Sequence, residues 1–280
     1  MQSNNPVFRR SEEFNRSGAN AYGNQTYAGN GAAFPGYGSD PSTHAPVSSG
    51  PMTIDSVVQK TAISLGLVIV AALATWVLTP TITTTTTSAD LGGLFAAVTI
   101  GSLGAFALSM VNSFKRNVSP PLVMAFAVLE GVALGGLSKI FNMAYPEGNV
   151  VQGAVIGTFA AFGGTLAAYK FFNIQVGAKF RAFVIAAVFG MVGLSMMELV
   201  LGLFDAQIGL FGVSGLGMVT AVGGLVLGVF MLIMDFDFVE QGIRNQLPEV
   251  ESWRAAFAMT VSLVWIYTNL LRILAYFSQD

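Results

Sequence analysis

Seven apolar stretches follow one another along this chain, each long enough to cross a hydrocarbon core about 30 Å thick, which takes about 20 residues of helix. They fall at roughly 57–79, 91–113, 120–144, 150–173, 180–204, 212–236 and 253–277. The linkers between them are short and carry breakers or charges: Pro80 with the run Thr83–Thr87, Lys115-Arg116, and Pro146-Glu147-Gly148. Later linkers hold Gln175–Lys179, Asp205–Gly209 and Arg244–Glu251. The pattern predicts an all-α membrane protein of seven transmembrane helices over 53–280. Charged residues make up only 10% of the chain, against about 25% in an ordinary soluble domain.

Residues 1–52 differ in kind. They are rich in Gly, Asn, Ser, Ala, Tyr and Pro without apolar periodicity, so they bury too little apolar surface to offset the entropy of ordering. The expectation is a disordered cytoplasmic tail. No apolar run lies between its arginines and Pro51, so it does not read as a signal peptide. The sole histidine, His44, lies in this tail, and cysteine is absent. Imidazole and thiolate chemistry are therefore excluded from the membrane. A net charge of −2 with no basic stripe argues against nucleic acid as a partner.

Lysine and arginine concentrate in cytoplasmic loops. Arg9, Arg10, Arg16 and Lys60 accompany the tail and first span, followed by Lys115 and Arg116, then Lys170, Lys179 and Arg181, then Arg244 and Arg254. The alternate linkers offer only Lys139. The N-terminus is thus expected in the cytoplasm and the C-terminus outside. Gly131–Gly135, Gly153–Gly157 and Gly224–Gly228 each match G-x-x-x-G, a device for close helix contact in lipid. We read them as packing faces within one bundle.

Ionisable groups within spans cost about 2.5–3.5 kcal/mol on insertion scales and so face a partner, the bundle interior or a water-filled cavity. Here they are Glu130, Glu198, Asp235, Asp237 and Arg272, with Glu240 just beyond the sixth span. Counting residues puts Glu130 near mid-membrane, Glu198 and Arg272 in the outer half, and the two aspartates near the cytoplasmic end. Arg272 is expected to neutralise Glu198, Glu130 or both. On that account Arg272→Ala should lower stability more than Lys139→Ala. Asp235 and Asp237 stand two residues apart, about 200° around a helix, and cannot pair face to face. One is expected toward the bundle interior and the other toward the periphery or headgroups. A carboxylate at the inner mouth can bind a hard cation through oxygen or exchange a proton; the plainer alternative is that both cap the membrane boundary.

Catalytic patterns fail. Gly212-Val213-Ser214-Gly215 has the G-x-S-G form of rhomboid-type intramembrane serine proteases, but no histidine is available as its base. Asp235 lacks a G-x-G-D element, and the last span holds no lysine for a retinal Schiff base. No P-loop, H-E-x-x-H or dinucleotide fingerprint occurs. Neither an enzyme nor a cofactor is expected.

Two segments carry a resemblance. Ser119-Pro120-Pro121 leads into Phe126-Ala127-Val128-Leu129-Glu130-Gly131, then Leu134-Gly135 and Ser138. Later, Asp235-Phe236-Asp237-Phe238-Val239-Glu240-Gln241-Gly242 precedes a last span containing Asn269-Leu270-Leu271-Arg272. Over about 52–277 the chain resembles the Bax-inhibitor-1-like (transmembrane BAX inhibitor motif) family, in a divergent bacterial branch. The resemblance implies six helices around a central C-terminal helix in the bacterial plasma membrane, and a pH-sensitive calcium leak. It also implies an aspartate latch between the last two helices. Its first member matches Asp235, which we favour over Asp237, as the ion-binding or gating residue and a possible calcium site. The second falls near Ser262, and residues 252–279 contain no carboxylate. Glu130 and Arg272 match family positions. Without a second acid two carboxylates cannot share a proton; Glu130 or Asp237 substitutes, or the leak is tuned differently. The rival readings are a non-conducting scaffold that binds a membrane protease or stress-response complex, and a secondary transporter of small organic substrates.

Overall fold

The computed structural model describes residues 50–80, 91–206 and 208–279. The expected tail, apart from Gly50–Met52, and the threonine run lie outside the described residues. Seven helices follow in order: α1 (Ile54–Leu78), α2 (Gly92–Phe114), α3 (Pro120–Ala144), α4 (Val150–Phe171), α5 (Ala178–Gly202), α6 (Gly215–Arg244) and α7 (Glu251–Phe277). All seven are long and apolar enough to span a membrane. Large apolar side chains such as Val77, Phe106, Phe189 and Val219 stand on their outer faces, as a lipid-facing surface requires.

Local sequence sets the helix ends. Thr53 and Ser56 form a reciprocal capping box at α1, each side chain accepting from the other's backbone N–H at 3.1 Å, which satisfies two otherwise orphaned donors. Pro120 and Pro121 open α3 after Ser119, where proline costs no hydrogen bond. Ser214 caps α6 through the Gly217 N–H at 3.1 Å, so the serine of the G-x-S-G pattern has a structural task. The sixth helix departs from expectation: it continues past residue 236 to Arg244. Bonds one turn apart, Gln241 to Asp237 and Arg244 to Glu240, stabilise the extra turns. Asp235 and Asp237 therefore sit within the helix, not at its end.

The C-terminal helix is central. It packs on α1, α3, α4 and α6, while α2 leans chiefly on α3 and α5 on α6. Two apolar clusters meet along it. One joins Met52, Val57, Leu232, Phe236, Met259 and Ile266; the other joins Val68, Ala127, Leu134, Val150, Ala154 and Leu271. The three glycine pairs lie where helices touch. A Cβ at Gly131 would strike Val68 O, and one at Gly135 would strike Ala72 O. Gly153 and Gly157 face Leu274 and Leu270, and Gly224 and Gly228 face Asn269 and Ile266. All three pairs serve contacts inside the chain, as expected.

A short hook ties the start of the domain to the α6–α7 linker. Met52 N donates to Leu247 O at 2.7 Å and Glu249 N to Gly50 O at 2.9 Å. Met52 is buried against Gly242, and Lys60 pairs with Glu249 at 2.7 Å. Gly50–Met52 thus belongs with the helices and not with the tail assigned to 1–52.

Gly135→Leu is expected to lower thermal stability in detergent by about 1–3 kcal/mol, the usual cost of overpacking. Gly190→Leu on the open face of α5, where nothing lies within 4 Å of the added carbon, should leave it unchanged; equal losses would refute the packing account. A chain starting at Gly50 should insert and melt like the full chain, whereas one starting at Thr53 should melt lower. Circular dichroism of the two truncations separates these outcomes.

Candidate functional site

The candidate site is the polar seam along α6. Asp235 Oδ2 accepts from Ser262 Oγ at 2.6 Å, joining α6 to α7. Ser262 is buried and stands where the resemblance implies a second acid. The latch position is therefore filled by a hydroxyl that donates to the carboxylate and takes up no charge.

Asp237 faces the other way, as two-residue spacing demands. Its Oδ2 accepts from Arg181 at 2.9 Å and from Gln241 at 2.7 Å. The expectation that one aspartate would reach the periphery is met only in direction. Asp237 meets α5, the outermost helix, and is itself 7% exposed. Being on the far side of α6, it cannot stand in for the missing acid beside Asp235. Glu240 lies in the open, accepting from Tyr169 Oη at 2.7 Å and Arg244 at 2.5 Å. Between the ends of α4 and α6 these residues border a cavity of about 510 Å³, with Asn173, Gln175, Gln241 and Asn245 also facing it.

Glu130 sits on α3 amid a buried arc formed by Val123, Phe126, Ala127, Ala133 and Leu134. It is half-buried. Among the described residues its carboxylate has no hydrogen-bond or ion-pair partner, so the Arg272–Glu130 pair is not formed.

Nor is the Arg272–Glu198 pair. Arg272 Nη2 donates to Leu210 O at 2.7 Å, Gly217 O at 2.9 Å and Thr220 Oγ1 at 2.9 Å. Its guanidinium lies 5.2 Å from the centre of the Phe211 ring. Thr220 also bonds Leu210 O and Gly217 O. Glu198 Oε1 accepts from the Gly209 N–H at 2.8 Å, at a turn where Gly209 takes φ +79°, a conformation natural to glycine. The reason is local supply. The α5–α6 connection carries backbone groups that need partners in lipid, and it lies within reach of both charges. Arginine and glutamate each grip that connection instead of each other.

Sequence reasoning missed four further polar links. Lys139 Nζ donates to Trp76 O at 2.8 Å, Thr79 O at 2.7 Å and Thr79 Oγ1 at 2.9 Å, capping the carbonyl end of α1, where a cation is favoured. Ser138 and Tyr267 share a hydrogen bond of 2.6 Å, Ser56 and Ser252 one of 2.7 Å, and Trp265 Nε1 reaches Gly224 O at 2.8 Å. Only Lys139, isolated on the lysine-poor side, gave any signal of its role.

Lys139 is therefore no inert control for Arg272. Lys139 Nζ supplies three bonds and the two hydrogens of Arg272 Nη2 are shared among three acceptors. Each alanine variant should lose about 1.5–3 kcal/mol, the worth of one bond from a charged donor. Parallel thermal unfolding in one detergent tests this; a Lys139→Ala protein as stable as the unmodified chain would contradict it.

Comparison with curated proteins returned no match. A family model described as Bax inhibitor 1 like matches residues 5–279, beyond the stretch on which the resemblance rested. With seven membrane-length helices and nearly the whole chain covered, this protein belongs to the Bax inhibitor 1 like family.

Proposed function

We propose that this membrane protein is a passive, pH-modulated cation leak path, calcium being the favoured ion, with no catalytic activity. The reading places it in a bacterial plasma membrane on the family resemblance, and its N-terminus in the cytoplasm on the lysine and arginine bias. The observation that carries it is the Asp235–Ser262 contact across α6 and α7. A hydroxyl donor holds the carboxylate only while the two helices stay together. Gain or loss of a proton at Asp235 changes the strength of that hold, because a bond to an ionised acceptor is roughly twice as strong as one to a neutral group. Family membership supports the reading. So does the cavity bordered by Asp237, Glu240, Gln241 and Asn173, whose oxygens are of the kind hard cations take. Glu130 offers a further carboxylate deeper in the bundle, and Arg272 shapes the opposite end.

A second reading is a scaffold for a membrane protease or stress-response complex. It is favoured by α5, whose outward face leaves Gly190 and Gly193 open and which packs chiefly on α6. Such a face would suit a partner helix.

Calcium flux into dye-loaded liposomes, followed from pH 6 to 8, decides between them. The leak reading expects entry that varies with pH, and a flattened pH profile for Asp235→Asn at unchanged protein level. Flux equal to that of empty vesicles at every pH would reject the leak and leave the scaffold.

A further inference from the structure

We propose that the crevice between α1 and α4 is a binding site for one acyl chain of a bilayer phospholipid. The cavity has a volume of about 330 Å³. Its walls are α1 from Leu65 to Trp76 and α4 from Val151 to Phe159; α3 and α7 form its floor. Eleven residues of helical rise make it about 16 Å long, slightly more than half of a hydrocarbon core of about 30 Å. It therefore spans one leaflet, in the C-terminal half of α1, and runs along the helices as acyl chains do.

The chemistry of the lining selects the occupant. The hydroxyls on the crevice wall are already spent: Ser138 on Leu134 O and Tyr267, and Thr158 on Ala154 O at 2.7 Å. Water, which needs two to four polar partners, has nothing to hold it there. Left empty, the lining would forfeit its dispersion contacts. The rim consists of exposed apolar side chains, Ile69 and Leu73 on α1 and Val155 and Phe159 on α4. The crevice is thus continuous with the surface these helices present to the bilayer. A helix of a second protein is about 10–12 Å across and would need several times this volume over the same length. A single flexible chain fits.

The test uses the full chain reconstituted in vesicles of 1-palmitoyl-2-oleoyl-phosphatidylcholine, extracted in mild detergent and weighed by native mass spectrometry. One retained phospholipid per chain is expected, and equally so from vesicles of the corresponding phosphatidylglycerol. Val155→Trp and Ala72→Phe fill the crevice from opposite walls and should each cut retention by about tenfold, or 1.4 kcal/mol. Ala182→Phe on the outer face of α5 should not. If a filling variant does not fold, quenching of Trp76 by chain-brominated lipid carried through detergent dilution replaces it, with Trp253 and Trp265 changed to Phe. No retained lipid, no quenching, retention unaffected by the variants that fold, or a tenfold headgroup preference would each overturn the proposal.

Discussion

A helix surrounded by other helices in lipid has no water to satisfy its polar side chains, and α7 carries one in nearly every turn. Several of them find partners on neighbouring helices, while Thr260 and Asn269 close on carbonyls of α7 itself. Ser252 meets Ser56 of α1, Ser262 meets Asp235 of α6, Trp265 meets Gly224 of the same helix, and Tyr267 meets Ser138 of α3. Near its end Arg272 holds Leu210 O and Gly217 O. Apolar packing in a bilayer is nearly indifferent to which helix lies where, because lipid tails are as apolar as leucine. The polar series along α7 supplies the missing specificity for α1, α3 and α6, fixing their rotation against it.

The two ends of the bundle are built differently. At the end bearing the hook, polar groups border an open cavity, and the last turns of α6 extend the carboxylates and amides of its exposed face. At the other, Arg272, Glu198 and Gln279 all bind the α5–α6 connection, Gln279 through Val213 O at 2.8 Å.

What the sequence revealed follows a physical division. The position of a residue along a helix comes from counting, so seven spans and the glycine contacts were legible. The neighbour a side chain meets depends on the rotation of two helices, which counting does not supply. Arg272 and Glu198 come to the same connection and were paired wrongly because the carbonyls that Arg272 prefers belong to the backbone, which every sequence carries alike. Asp237 was separated from Asp235 correctly by helical angle, yet Arg181 as its partner was invisible. Ser262 was legible only through the family resemblance, as a position where an acid is missing. The extension of α6 was hidden because the charged residues that follow its apolar stretch read as the end of a span, whereas they form further turns of the same helix.

The unequal neighbourhoods of the helices bear on how such a chain is made. The first two helices both pack on α3, so these three can settle as soon as they leave the ribosome. The main partners of α4 and α5 are α7 and α6, synthesised later, so both must wait in the bilayer for most of their contacts. Their hydroxyls suit that wait: Thr158 closes on Ala154 O and Ser195 on Met191 O, bonds within one helix that need no companion. The last helix made is the one whose polar groups reach α1, α3 and α6, so its arrival converts a loose set of spans into one bundle.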